Sequence, residues 1–140
     1  MSGRLDSIER SLPIMLLRAR ESVMRRFRPL LQAHGLSEQQ WRVLRVLNEQ
    51  GPMELTALAR QAVVLTPSLT RILANLDARA LTARRPDSRD RRRRQARLTA
   101  KGQALIAVIA PQSARIYAQI EAEFGPDRLH ELMTLLRRLA

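Results

Sequence analysis

The chain has no cysteine, only two histidines (His34 and His130), one lysine (Lys101) and four aromatic residues among 140. Without cysteine there are no disulfides, no thiolate metal sites and no thiol redox sensor, which fits a reducing cytoplasm. Two isolated histidines, with neither paired carboxylates nor a glycine-rich phosphate loop at useful spacing, leave an enzyme or a metal sensor without its working groups. No metal and no cofactor is therefore expected, and His34 beside Gly35 reads as a helix-end residue. Long apolar runs are missing as well. The stretch from Leu12 to Leu17 is too short to cross a bilayer and is followed by Arg18 and Arg20, so neither a signal peptide nor a membrane segment is expected. With only Phe27, Trp41, Tyr117 and Phe124 as aromatics, the core must come from Leu, Ile, Val, Met and Ala, a palette that favours helices. The length predicts one domain over residues 1–140.

Acidic charge is scarce: 13 carboxylates face 25 basic residues, a net charge of +12. Such a chain seeks a polyanion. Residues 84–97 hold eight arginines against Asp87 and Asp90, a local excess of six and half of the total. Alone, such a run is equally well a solvated loop. Its neighbours decide the matter.

Helical spacing of Ile14, Leu17, Met24, Phe27 and Leu31 predicts a long first helix over about 11–34, with Pro29 bending its last turns. After Gly35, Ser37 and Gln40 form a capping-box pair, and Trp41, Leu44 and Leu47 carry a second helix to Gln50. A third, short helix is predicted from Glu54 to Ala62. Thr66, as N-cap before Pro67, opens a fourth helix that turns Leu69, Ile72, Leu73 and Leu76 inward and Ser68, Thr70, Arg71, Asn75 and Arg79 outward. Thr82 to Arg85, a turn at Pro86-Asp87-Ser88 and Arg94 to Thr99 read as a two-stranded hairpin. Thr99 caps a long fifth helix with an apolar stripe through Leu105, Val108, Ile109, Ile116, Ile120 and Phe124 and a kink at Pro111. Gly125-Pro126 starts the last helix, striped by Leu129, Leu132, Met133, Leu136 and Leu139.

The expected fold is thus all-α with a small β-wing: a winged helix-turn-helix over about 37–99, flanked by helices at 11–34 and 100–140. The flanking helices carry more apolar surface than a monomer needs to cover, so a homodimer is expected; the alternative is that they fold back on the central motif.

A helix in the major groove reads bases with the outer side chains of its first turns. Thr66, Ser68, Thr70, Arg71 and Asn75 are therefore DNA-contact candidates, with Arg71 able to hold guanine bidentately. For Ser68 and Thr70, capping and phosphate contact are equal alternatives. In the wing Arg84, Arg85, Arg89, Arg91, Arg92 and Arg93 are candidates, because a narrow minor groove attracts an inserted arginine. Asp90 either orients one of them through a salt bridge or forms an Asx turn.

The run Leu55 to Arg85, with Leu58-Ala59-Arg60 and Thr70-Arg71, followed by Arg84-Arg85-Pro86-Asp87, Asp90-Arg91-Arg92 and Arg97-Leu98-Thr99, resembles the MarR family across nearly the whole chain. Further stretches, among them Phe27-Arg28-Pro29, Glu38-Gln39-Gln40-Trp41-Arg42, Pro67-Ser68-Leu69-Thr70 and Gly102-Gln103-Ala104-Leu105, are similar to its homoprotocatechuate-repressor branch. The resemblance implies a dimer whose terminal helices interlock while two winged motifs face one palindromic operator in double-stranded DNA. It also implies repression of hydroxyphenylacetate catabolism, relieved by a small aromatic carboxylate. Such a ligand needs an arginine for its charge and an apolar slot for its ring. The resemblance puts that slot between the dimer helices and the reader domain. Arg20 and Arg42 are the candidates for the carboxylate, and Met15, Met24, Phe27, Trp41 and Tyr117 for the ring. The alternatives are ordinary core packing for Trp41 and the methionines, and salt bridges to Glu21 or Glu38 for the arginines. The competing functions are an architectural protein that coats nucleic acid without a ligand and a MarR-type regulator of another phenolic compound. Ala80 departs from the family pattern, which has glycine there; in a left-handed conformation alanine costs roughly 1–2 kcal/mol. Arg94-Gln95-Ala96 departs from the apolar alternation of related wings, which implies a more mobile wing.

Overall fold

The structure, a computed structural model, describes residues 5, 7–86, 89 and 94–140. Asp90 and Arg91 to Arg93 lie outside the described residues, as do Asp87 and Ser88. Two compact units emerge, residues 31–112 and residues 1–30 with 113–140. Residues 100–112 group with the central unit and 113–140 with the other.

After a 3-10 turn at Ile8–Arg10, the elements are α1 (Leu12–Ala33), α2 (Glu38–Gln50), β1 (Met53–Glu54), α3 (Leu55–Ala62), α4 (Thr66–Ala78), β2 (Thr82–Pro86), β3 (Arg94–Leu98), α5 (Ala100–Phe124) and α6 (Pro126–Leu139).

In the central unit α2 begins as its sequence dictates. Ser37 Oγ accepts from the Gln40 N–H at 3.1 Å, and Gln40 Oε1 accepts from the Ser37 N–H at 2.9 Å. This reciprocal pair satisfies two donors that the first turn leaves without intrahelical partners. The core is aliphatic: Val43, Leu44 and Leu47 of α2 are buried with Leu58 of α3, Leu69, Leu73 and Leu76 of α4, and Ile109 of α5.

The sheet is antiparallel in the order β1-β3-β2, with β2 in register with β3 from Thr82 opposite Leu98 to Pro86 opposite Arg94. The hairpin was legible in the sequence. Strand β1 was not: it pairs Met53 with Ala96 and Glu54 with Gln95, fastening the start of α3 to the wing. Ala96 is fully buried, the one buried position of β3.

The junction of wing and α5 is built around Thr99. Its N–H donates to the Leu81 carbonyl at 3.1 Å, its hydroxyl donates to the Ala80 carbonyl at 2.6 Å, and the same Oγ1 accepts from the Gly102 N–H at 3.1 Å. Gly102 is required by space. A Cβ there would stand 2.2 Å from the Leu81 carbonyl oxygen, so α5 approaches the chain after α4 as closely as backbone allows.

Two details differ from expectation. Thr66 is not the N-cap of α4 but its first residue; Leu65, extended at φ −70 and ψ 145, holds the cap position and makes no side-chain cap bond. In the first half of α5 the buried residues are Gly102, Ile106 and Ile109, while Val108, assigned inward by periodicity, is exposed.

The second unit is helical. Phe27 of α1 and Tyr117 of α5 pack with ring centroids 4.9 Å apart at an interplanar angle of 56°, a favourable tilted pair. Arg26 pairs with Glu123 at 2.6 Å. Helix α6 buries no residue of its own: Leu132, Met133, Leu135 and Leu139 are exposed, as are Leu12, Leu16 and Leu17 of α1.

Candidate nucleic-acid interface

Helices α3 and α4 and the turn between them form a helix-turn-helix whose turn is tightly held. Helix α3 ends on Val63 in the left-handed region, φ 56 and ψ 53. A β-branched side chain is strained there. The turn closes because the Val64 N–H returns to the Ala59 carbonyl at 3.0 Å. Arg42 of α2 then reaches across, Nε donating to the Ala62 carbonyl at 2.8 Å and Nη2 to the Val63 carbonyl at 3.3 Å. A guanidinium on the last carbonyls of α3 both satisfies acceptors and meets the negative end of the helix dipole. Arg42, named from sequence as a ligand cation, is thus brought to the reader motif and fixes its turn.

Helix α4 separates its faces cleanly. Leu69, Ile72, Leu73 and Leu76 are buried. Thr66, Thr70 and Arg71 are exposed and Ser68 is half-buried. The Thr70 hydroxyl donates to the Thr66 carbonyl at 3.3 Å, leaving its oxygen outward as an acceptor. Ser68 and Arg71 line a shallow groove with Ser37, Gln39 and Gln40. The small polar side chains and the arginine therefore sit on the first two turns of α4, the part that enters a major groove.

Two outward candidates have internal partners. The Asn75 Oδ1 accepts from Gln40 Nε2 at 2.9 Å, tying α4 to the start of α2. Arg79 turns back: Nη1 donates to the Gly35 carbonyl at 2.8 Å and Nη2 to the His34 carbonyl at 3.0 Å, while its own carbonyl accepts from Lys101 Nζ at 2.9 Å. The C-terminal end of α4 is thereby anchored to α2 and to the turn before it. Gln40 was legible only as a capping residue, because nothing in a sequence reveals that its amide nitrogen is left for a partner in another helix.

The wing divides its arginines by face. Arg84 is turned inward, its side chain 22% exposed, with Nε 3.3 Å from Asp77 Oδ2 but outside hydrogen-bond geometry, so the contact is electrostatic. The other carboxylate oxygen of Asp77 accepts from the Thr82 hydroxyl at 2.5 Å. Asp77 therefore joins the end of α4 to the base of the wing. Arg85, next in the strand, points the opposite way and is exposed, as are Arg89, Arg94 and Arg97.

Of the ligand candidates, Met15, Arg20, Met24, Phe27 and Tyr117 belong to the helical unit. Arg20, Met24 and Phe27 stand at i, i+4 and i+7 and share one face of α1; Met15 lies on a different stripe. Arg20 lines a shallow groove with Leu17, Arg18, Glu21 and Arg25. Trp41 is buried in the central unit. Glu21 receives both terminal nitrogens of Arg28, at 2.5 and 2.6 Å. That hydrogen bonding, reinforced by the charge of Arg28, holds its carboxyl below the ordinary glutamate range against an opposing contribution from burial. Glu21 thus has Arg28 as a salt-bridge partner. Among the described residues no cluster of His, Cys, Asp or Glu could hold a metal ion, and no helix is long and apolar enough to cross a membrane.

The profile of the MarR family matches residues 36–93, from just ahead of α2 to the residue before β3. The chain is 42% identical to the homoprotocatechuate degradative operon repressor of Escherichia coli over 126 residues, 90% of this chain and 85% of that protein. The chain belongs to the MarR family. Solved structures of the same architecture agree: the transcriptional regulator PA4135 superposes with a TM-score of 0.89 at 43% identity, covering 92% of this chain and 95% of that one. NadR in complex with 4-hydroxyphenylacetate superposes with a TM-score of 0.85 at 38% identity, covering 97% and 96%. This MarR-family chain is a DNA-binding transcriptional regulator and not an enzyme. Its family's winged helix is the fold expected from the sequence.

Proposed function

We propose that this MarR-family protein is a homodimeric repressor that holds a palindromic operator and releases it when a hydroxyphenyl-substituted carboxylic acid binds. The observation that carries the reading is the division of α4, a buried Leu69, Ile72, Leu73 and Leu76 face beneath exposed Thr66, Thr70 and Arg71. In it Ser68, Thr70 and Arg71 read base edges, with Thr66 on the adjoining phosphate. Arg85, Arg89 and Arg91 to Arg93 hold the flanking backbone and minor groove, and Asp90 orients one of these arginines. Asn75 and Arg84 serve the same function indirectly, setting α4 on α2 and the wing on α4. The exposed leucines of α1 and α6 support dimerisation, since a second copy would cover them. The protein then works in the cytoplasm, where its operator is.

The kinship to a homoprotocatechuate operon repressor and to NadR, solved with 4-hydroxyphenylacetate, supports the class of ligand. Arg20 supplies the cation for the carboxylate, and Met24, Phe27 and Tyr117 the apolar contacts for the ring. Ligand acts by population shift, favouring a dimer whose recognition helices no longer match grooves spaced roughly 34–36 Å apart. Calorimetric titration with 4-hydroxyphenylacetate tests the assignment. Saturable binding that Arg20→Ala weakens at least tenfold is expected, and binding indifferent to that substitution would remove Arg20 from the site.

A further inference from the structure

The turn that leads into α4 exposes an apolar pair ahead of a helix whose outer face is polar. Val63 is 78% exposed and Leu65 is 76% exposed. The residue that can fold over the first turn as a hydrophobic staple is the one before the N-cap, here the half-buried Val64 opposite Leu69. Leu65, at the N-cap itself, is left outside that contact. The preceding Val63 keeps a left-handed conformation that a glycine or asparagine would adopt with less strain. Leu65 thus stands exposed at the N-terminal end of α4, next to Thr66, the first residue of the helix whose Ser68, Thr70 and Arg71 form the polar reading face. A major groove offers one aliphatic feature on its base edges, the C5 methyl of thymine.

We infer that Leu65 is a specificity-determining residue that packs against a thymine methyl in each operator half-site, so that the repressor reads one base by apolar contact rather than by hydrogen bonding. This inference rests on the proposed role of α4 as the base-reading helix, and it makes the surface around Leu65 continuous with that interface. The occupant is the DNA itself. Thymine differs from uracil by the methyl alone, so exchanging one for the other removes the apolar contact and leaves every hydrogen-bonding edge in place. Burial of one methyl corresponds to about fourfold in affinity, and two symmetric half-sites to about fifteenfold.

The test uses the full chain and its own upstream intergenic duplex, prepared once with thymine and once with deoxyuridine throughout, in fluorescence anisotropy at fixed salt. Wild type is expected to bind the uracil duplex about fifteenfold more weakly. Leu65→Ala should bind the thymine duplex more weakly and discriminate between the two duplexes by less than about twofold. Leu65→Met, which keeps an aliphatic side chain, should retain the discrimination. Exposure of Leu65 makes a folding defect in these variants readily separable, by circular dichroism, from a binding defect. Equal binding of both duplexes by wild type, or an undiminished uracil penalty in Leu65→Ala, would overturn the inference while leaving α4 as the reading helix. Failure of wild type to prefer the intergenic duplex over scrambled DNA would overturn both.

Discussion

Replacing Ala80 by glycine should stabilise the protein, although it removes a methyl group and touches no partner. Ala80 follows α4 with φ 58, a conformation that costs an L-residue roughly 1–2 kcal/mol and glycine nothing comparable. Its side chain is exposed, so no packing is lost, and its backbone bonds remain available: N–H to the Asp77 carbonyl at 2.9 Å and carbonyl to the Thr99 hydroxyl at 2.6 Å. Against the gain stands the greater freedom of glycine in the unfolded chain, about 0.4–1 kcal/mol. The net is a stabilisation of about 0.5–1 kcal/mol, or roughly 2–5 °C in Tm for a chain of this size. Urea unfolding of Ala80→Gly beside Ala74→Gly, at one fixed protein concentration, gives a direct comparison. Ala74 is exposed within α4, where the same change costs about 1 kcal/mol. The two midpoints should move in opposite directions, and a fall in both would refute the assignment of Ala80 to the left-handed region.

Gly102→Ala should destabilise by about 1–3 kcal/mol in the same assay, because the new Cβ meets backbone rather than a movable side chain. Arg71→Ala should weaken operator binding by about 1–3 kcal/mol and relax the preference at one base, whereas Arg85→Ala should weaken operator and scrambled DNA alike and lower the salt slope by about 0.9. For Glu21 the folded-state pKa is depressed, chiefly by hydrogen bonding to Arg28. The contribution of the pair is therefore fully present above the ordinary glutamate range and is lost as pH falls through the depressed value. A carboxyl titration followed by NMR should place its midpoint below that of an ordinary glutamate and move it upward in Arg28→Met.

Much of this arrangement was legible before the structure. Helix limits followed from Ser37, Gly51, Thr99 and Gly125, which carry local cap and turn chemistry, and the faces of α4 followed from period alone. The family resemblance was carried by residues of the reader motif, where the chemistry of DNA binding restricts the choice. What escaped was non-local. A two-residue strand such as Met53–Glu54 has no period, and the partners of Arg42, Asn75, Arg79 and Arg84 are set by distances between helices and strands. In α5 both faces of the first turns are aliphatic, so period could not choose between Ile106 and Val108. Thr66 was read as a cap because threonine and proline form a frequent start, while Leu65 makes the same backbone turn without a side-chain bond.

The most direct measurement is the anisotropy of labelled upstream intergenic DNA and of scrambled DNA of equal length, titrated with the protein in the presence and absence of hydroxyphenyl- and dihydroxyphenyl-acetic acids. Preferential binding of the intergenic duplex, reversed by one of these acids, is the expected result. Equal binding to both duplexes with no effect of any acid would contradict a ligand-responsive repressor and leave an arginine-driven coat of nucleic acid in its place.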